Sequence, residues 1–196
     1  MNNRIFIFGL RKKIVYFRVI LHILRIALSI YHNPIRAVRA LRSMLSVRHA
    51  IYRNSANQRF VKAGGKYFFS PHVPRWPSAA FRMYIENGLN DAYPFRTDTG
   101  YLHTLVFAVT SRCPLNCQHC FEWENLDTRE SLTLQELKDI LNRFQLRGLS
   151  HAQLSGGEPL CRLDDLIELI RTAKQDTEFW ILTSGYGLTL DATGSN

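Results

Sequence analysis

Acidic residues are missing from the first 85 positions of this 196-residue chain; the first is Glu86. Sixteen of the 25 Lys and Arg lie in that same stretch, which therefore carries +16. The remainder holds nine basic and all 16 acidic residues, a balance of −7, so the formal net charge of +9 describes neither half. Such asymmetry points to a basic segment that meets an anionic surface. Cysteine is scarce as well. Four in a chain of this length do not build a disulfide-stapled mini-protein. A hydrophobic content of 46% excludes a disordered polyelectrolyte or a collagen-like repeat. Long unbroken apolar runs are also lacking. Residues 14–31 come nearest, but Arg18, His22 and Arg25 interrupt them.

The polar residues Arg11, Arg18, His22, Arg25, Ser29 and His32 recur at helical spacing and form one stripe on an otherwise apolar helix. After Pro34, residues 35–48 repeat the pattern. Ile35, Val38, Leu41 and Leu45 lie on one face, with Arg36, Arg39 and Arg42 on another. A transmembrane helix would bury Arg18 and Arg25, each at a cost of roughly 2.5–3.5 kcal/mol near a bilayer centre. Arg11-Lys12-Lys13 before an apolar run imitates a signal peptide, but no small-residue cleavage site follows cleanly. An acid-free, Arg-rich start is also similar to an organellar transit peptide. A helix in a membrane interface, with Arg near anionic headgroups, is the leading reading. A helical pair packed on the rest of the protein is its main rival. The expected partner is thus an anionic membrane surface, met through residues 11–48. Nucleic acid is the weaker choice, because the apolar faces are too wide for a phosphate-binding arm. The expected location is cytoplasmic, peripheral on the inner membrane face.

Residues 58–70 read as a hairpin about Gly64-Gly65. Pro77 suits a first helical position and Gly88 the residue past the end, which predicts a short helix over 78–87. Trp76, Phe81 and Tyr84 are expected to pack it onto the next domain. The expected organisation is a basic helical extension over 1–56, a hairpin and short-helix linker over 57–100, and a core domain over 101–196.

Residues 104–110 form an apolar run suited to a strand buried on both faces. Directly after it come Cys113, Cys117 and Cys120 in C-x3-C-x2-C spacing, a loop at the carboxyl end of a strand, where α/β folds bind ligands. Three clustered cysteines leave one odd for disulfides. A zinc site would need a fourth ligand, and His119 would have to share a tight loop with Cys120. An iron–sulfur cluster on three thiolates would keep one iron open for chemistry.

The cysteine loop resembles the signature of the radical S-adenosylmethionine (radical SAM) superfamily. Two further stretches match in order. Leu154-Ser155-Gly156-Gly157-Glu158-Pro159 is similar to its GGEP motif, and 179–185 to its third strand with a Thr-Asn-Gly-like turn, Ser184 standing where Asn is common. The resemblance implies an α/β fold: part of a (β/α)6 barrel, its first three strands and two helices, preceded by the basic helical extension and the hairpin. It implies a [4Fe–4S] cluster on Cys113, Cys117 and Cys120, whose open iron is chelated by S-adenosylmethionine. It places His119 near the adenine, Gly156, Gly157, Glu158 and Pro159 near the methionine part, and Ser184 and Gly185 near the ribose. It assigns no catalytic residue beyond the cluster. The implied activity is reductive SAM cleavage and hydrogen abstraction from an unknown substrate, oxidoreductase- or transferase-type chemistry fed by an external one-electron reductant. The alternative is a truncated, inactive cluster- or zinc-binding module on a membrane.

Between the motifs, Thr133-x-x-Glu136 is a capping box that opens a helix ending at Gly148. His151–Ser155 reads as the second strand. Asp164 and Asp165 open a second helix with Leu163, Leu166, Ile167 and Ile170 as its buried face. Cys161 is expected to be a small buried hydrophobe, and His103 and His151 packing or surface residues. At about 30 residues per strand–helix unit, the stretch from Thr104 to Asn196 holds at most three of the family's six units. The tail 190–196 shows no helical period, so the expectation is a fragment or a truncated reading frame.

Overall fold

A computed structural model describes residues 5–51, 60–96, 102–128 and 132–188. The tail 190–196 and the first residues of the expected hairpin, Gln58 and Arg59, lie outside them. The chain divides into two compact units, Met1–Thr104 with Phe144–His151 and Lys174–Glu178, and Leu105–Arg143 with Ala152–Ala173 and Phe179–Asn196.

In the first unit, β1 (Ile5–Ile7), β2 (Phe60–Ala63) and β3 (Lys66–Phe68) form an antiparallel sheet in that order. Ile7 pairs with Phe60 and Val61 with Phe68. Gly64 and Gly65 both take positive φ, 54° and 74°, which the tight hairpin turn demands. Helices α1 (Gly9–Tyr31) and α2 (Pro34–Ile51) follow β1. Between them His32 adopts the left-handed region, and the Asn33 carboxamide accepts from Ile35 N and Arg36 N to cap α2.

The two basic helices pack on their own unit. Val15, Val19, Ile23 and Ile26 of α1, with Ala37, Ala40 and Met44 of α2, share one core with Trp76, Phe81 and Tyr84. Those aromatics thus pack against the basic helices. Part of the polar stripe turns inward too. Trp76 Nε1 donates to His22 Nδ1 at 2.7 Å, and the Arg18 guanidinium lies 5.6 Å from the Trp76 ring centre.

Helix α3 (Ala79–Ala92) differs from its expected bounds. Ser78 is the N-cap, its hydroxyl accepting from Phe81 N, so Pro77 stands before the cap. Gly88 does not end the helix. A Cβ there would come within 3.2 Å of Met44 Sδ, so glycine serves close packing beside α2 inside a continuing helix.

His151 is fully buried, and neither ring nitrogen has a hydrogen-bond partner among the described residues. Burial, with a smaller contribution from nearby His72, pushes its pKa down to about 4. The unfolded chain therefore takes up this proton first as pH falls below 6.5. Stability should fall by roughly 2 kcal/mol by pH 5 and 3 kcal/mol by pH 4, and be fully present above 6.5. Urea unfolding at pH 7 and pH 5 of wild type and His151→Leu checks this; equal pH dependence in both would refute it.

The second unit contains all but the first residue of three further strands. They are β4 (Thr104–Ala108), β5 (His151–Ser155) and β6 (Glu178–Ile181), hydrogen-bonded in that order. The bonds advance in step along both chains. His151 N and Val109 N bond to His103 O and Ser155 O across the β4 side, and Glu178 N and Leu182 N to Ser150 O and Leu154 O across the β6 side, so the sheet is parallel. Its central strand β5 is buried throughout, whereas β4 is an edge strand with Val106 61% exposed. The double burial expected of 104–110 belongs to β5.

Helix α4 (Leu134–Leu146) opens on the capping box: Thr133 N donates to Glu136 Oε2 at 2.8 Å and Glu136 N to Thr133 Oγ1. Helix α5 (Leu163–Thr172) buries Leu166 and Leu169, while Leu163 and Ile167 are exposed. Its inward face is therefore rotated from the expected one. Arg162 sets the entry of α5, bonding Asp165 and, through Nη1, Val109 O and Leu132 O.

Candidate functional site

The second unit brings the three sequence motifs to one end of the parallel sheet. Strand β4 ends at Ala108 and the chain passes into the loop that carries the cysteines. Cys113 and Cys120 are half-buried and Cys117 is exposed, and all are free of disulfides. Asp127 pins the loop: its carboxylate accepts from Cys113 N at 3.1 Å and its own N–H donates to Ser111 O at 2.9 Å. Cys120 N donates to Cys117 O and closes the turn between the last two cysteines. His119 is exposed, as are Phe121 and Trp123 beyond the loop.

Gly156 and Gly157 lie against the start of this loop. Gly157 N donates to Thr110 O at 2.9 Å and Glu158 N to Arg112 O at 2.7 Å. A Cβ on Gly156 would sit 2.3 Å from Thr110 O, and one on Gly157 2.4 Å from Arg112 O. The chain's own backbone thus fills the space that side chains here would need. This close approach within the protein accounts for both glycines.

Glu158 is 2% exposed. Its Oε1 accepts from Leu160 N and Thr183 Oγ1, and its Oε2 from Ser184 N and Ser184 Oγ. Burial pushes its pKa up, but the bonds from Ser184, Thr183 and Leu160 outweigh this and hold the group below the ordinary carboxylate range. The carboxylate is therefore a charged clasp between the glycine turn and the chain after β6. Its charge stays in the site, while both oxygens are spent on the protein's own donors. Gly185, with φ 81°, donates to Thr183 Oγ1 and shapes the same turn.

Pro159 is buried and starts a single 3-10 turn, Pro159–Arg162. Cys161 in that turn is exposed, which corrects the expectation of a buried hydrophobe. Partial desolvation of the sulfur, with the nearby Glu158 and Cys113, pushes its thiol pKa up. Thr110, Ser111, Glu122, Asn125, Gly156 and Gly157 line a cleft of about 250 Å³ beside the cysteine loop.

Sequence reasoning missed Asp127 and Arg162, which act on partners well away in the chain and which no local pattern marks. Thr183 stands in the Thr-Asn-Gly-like turn, but its bond to Glu158 is not visible in the sequence. Among the described residues, no three His, Cys, Asp or Glu side chains are grouped closely enough to hold a metal ion. The donor chemistry nevertheless fits an iron–sulfur cluster. Cys113, Cys117 and Cys120 offer three accessible sulfurs, none in a disulfide, on one loop beside a cleft.

Comparison with known proteins agrees with the motifs. Residues 107–193 match the model of the Radical SAM superfamily. A GTP 3′,8-cyclase from Erythrobacter litoralis (strain HTCC2594) is 44% identical over 69 residues, covering 34% of this chain and 20% of that protein. A PqqA peptide cyclase from Streptomyces rochei is 37% identical over 89 residues, covering 44% of this chain and 24% of that protein. The chain thus spans a fifth to a quarter of these relatives. No solved structure matches it.

Proposed function

We propose, from the match of residues 107–193 to the model of the Radical SAM superfamily, that this chain binds a [4Fe–4S] cluster through Cys113, Cys117 and Cys120 and S-adenosylmethionine beside it. Both are the cofactors of that superfamily. When bound and reduced by an external one-electron donor, they supply reductive cleavage of S-adenosylmethionine to methionine and a hydrogen-abstracting 5′-deoxyadenosyl radical. The run β4–α4–β5–α5–β6 is read as the opening of the (β/α)6 barrel.

The observation that carries this reading is the seam from Thr110–Arg112 through Gly157 and Glu158 to Ser184. It ties the cysteine loop, the glycine turn and the chain after β6 into one body. In the proposal, carbonyls of the glycine turn accept bonds from the ligand's ammonium. His119, Ser184 and Gly185 lie along its adenosine part, and Pro159 fixes the turn's exit. The substrate is an unidentified molecule that loses a hydrogen atom. The names of the relatives, cyclases of GTP and of a peptide, mark two substrate classes worth assaying first.

Anaerobic reconstitution with iron and sulfide tests the ligand set. Wild type should gain the broad visible absorbance of an iron–sulfur cluster, and Cys113→Ala, Cys117→Ala or Cys120→Ala should each lose most of it. Cys161→Ala should keep it. Full absorbance in all three loop variants, or zinc bound in place of iron, would overturn the assignment.

A further inference from the structure

Helix α1 is apolar on two opposite sides. Val15, Val19, Ile23 and Ile26 are buried in the core of the first unit. On the far side stand Leu10, Ile14, Phe17, Leu21 and Leu28, between 36% and 72% exposed. At 3.6 residues per turn these five span roughly 60° of arc. They form one stripe that the fold leaves uncovered. Phe6 and Phe8, just before the helix, are exposed as well and stack on one another.

Cations border this stripe. Arg11, Arg18 and Arg25 recur every seventh residue along one margin, Lys13 stands on the other, and all four are exposed. Arg18 holds its guanidinium toward the Trp76 ring, whereas Arg11 and Arg25 have no such partner ring among the described residues. On α2, Arg36, Arg39 and Arg42 are exposed beside exposed Ile35 and Val38. Residues 1–85 contain no acid, and among the described residues none of these cations lies in an ion pair, whereas Arg75 and Arg82 are paired with Glu178 and Glu86. A second copy of the same surface would set like charges against like. An apolar stripe edged by unneutralised cations matches acyl chains bordered by phosphates. By length and composition α1 could also cross a membrane. Crossing would strip its buried face from the core and drive Arg18 and Arg25 into hydrocarbon.

We propose that the exposed stripe of α1 docks this protein peripherally on an anionic lipid bilayer. The helix lies in the plane of the interface, Phe17 and Leu21 enter the acyl region, and the flanking arginines meet headgroup phosphates. The inference stands on the first unit alone and is independent of any cluster.

Co-flotation of the full chain with phosphatidylcholine vesicles, with and without phosphatidylglycerol, tests it. The partition coefficient should be at least about tenfold higher on the anionic vesicles. Phe17→Gln with Leu21→Gln should lower it at least about tenfold. Arg11→Gln and Arg25→Gln should each lower it about fivefold. Both sets alter exposed residues, so circular dichroism should show an unchanged fold. Leu146→Gln, an exposed apolar residue on α4, should change nothing. Equal partition onto neutral and anionic vesicles overturns the proposal, as does binding that survives the Phe17 and Leu21 changes. Resistance to alkaline carbonate extraction means a spanning helix and overturns it too. A concentration-dependent dimer lost in the same pair, without flotation, assigns the stripe to a second copy instead.

Discussion

Glu158→Ala should lower the unfolding free energy by about 2–4 kcal/mol in urea titration at neutral pH. Four donors converge on that buried carboxylate: Leu160 N, Thr183 Oγ1, Ser184 N and Ser184 Oγ. Truncation removes their shared acceptor. Thr183 and Ser184 are exposed, so water takes over part of the lost bonding, and what is forfeited is a set of charge-assisted bonds worth about 1.5–3 kcal/mol apiece before that compensation. Glu158→Gln keeps the volume but turns an NH2 toward groups that are themselves donors, so an intermediate loss of about 1–3 kcal/mol is expected. Ser184→Ala removes one donor and leaves the carboxylate three, and should cost about 1 kcal/mol. A loss below about 0.5 kcal/mol for Glu158→Ala, the range of ordinary surface changes, would show that the clasp is not formed in solution.

Gly157→Ala should be at least as damaging. Its new Cβ would lie within 3 Å of Arg112 O, Arg112 C and Ser111 O, all backbone atoms that cannot swing aside. Overpacking of this kind costs about 1–3 kcal/mol, and more where backbone must move. Gly187→Ala makes a sharp control. Gly187 has φ 81° but open space about its Cβ, so that variant carries only the left-handed penalty of about 1–2 kcal/mol. Thermal unfolding should therefore rank Gly157→Ala well below Gly187→Ala. The reverse order would mean that the seam between the glycine turn and the cysteine loop is looser than the structure places it. Should Gly157→Ala fail to accumulate as folded protein while Gly187→Ala does, the ranking is met in its extreme form.

What could be read from the sequence was local or strictly patterned. Thr133 and Glu136 lie one turn apart and bond as their spacing requires. The run His151–Ser155 is a strand over those same residues. The three cysteines stand in a loop after a strand, because residue type and spacing alone define that motif. Misreadings came where a distant contact overrode a local rule. Gly88 reads as a helix end, yet a neighbour on α2 makes it an interior residue. Residues 104–110 have the composition of a doubly covered strand, but strand order puts β4 at the sheet edge. Strand β1 went unseen because three residues carry no period, and only its pairing with β2 makes it a strand. In α1 the sequence shows one polar stripe on an apolar helix, and folding divides the apolar remainder into a buried side and an exposed side. The most telling case is Glu158. Its motif marks it as part of a site, but two of its partners lie 25 and 26 residues on, so its role as a clasp is visible only in three dimensions.

The central claim is that three cysteines hold a cluster whose fourth iron is open to S-adenosylmethionine at the glycine turn. The most direct measurement is the electron paramagnetic resonance spectrum of the reconstituted, dithionite-reduced chain, recorded before and after addition of S-adenosylmethionine. A ligand reaching an open iron changes that iron's coordination, so the account predicts a shifted signal in wild type. An unchanged spectrum at saturating S-adenosylmethionine in cluster-loaded wild type would contradict it.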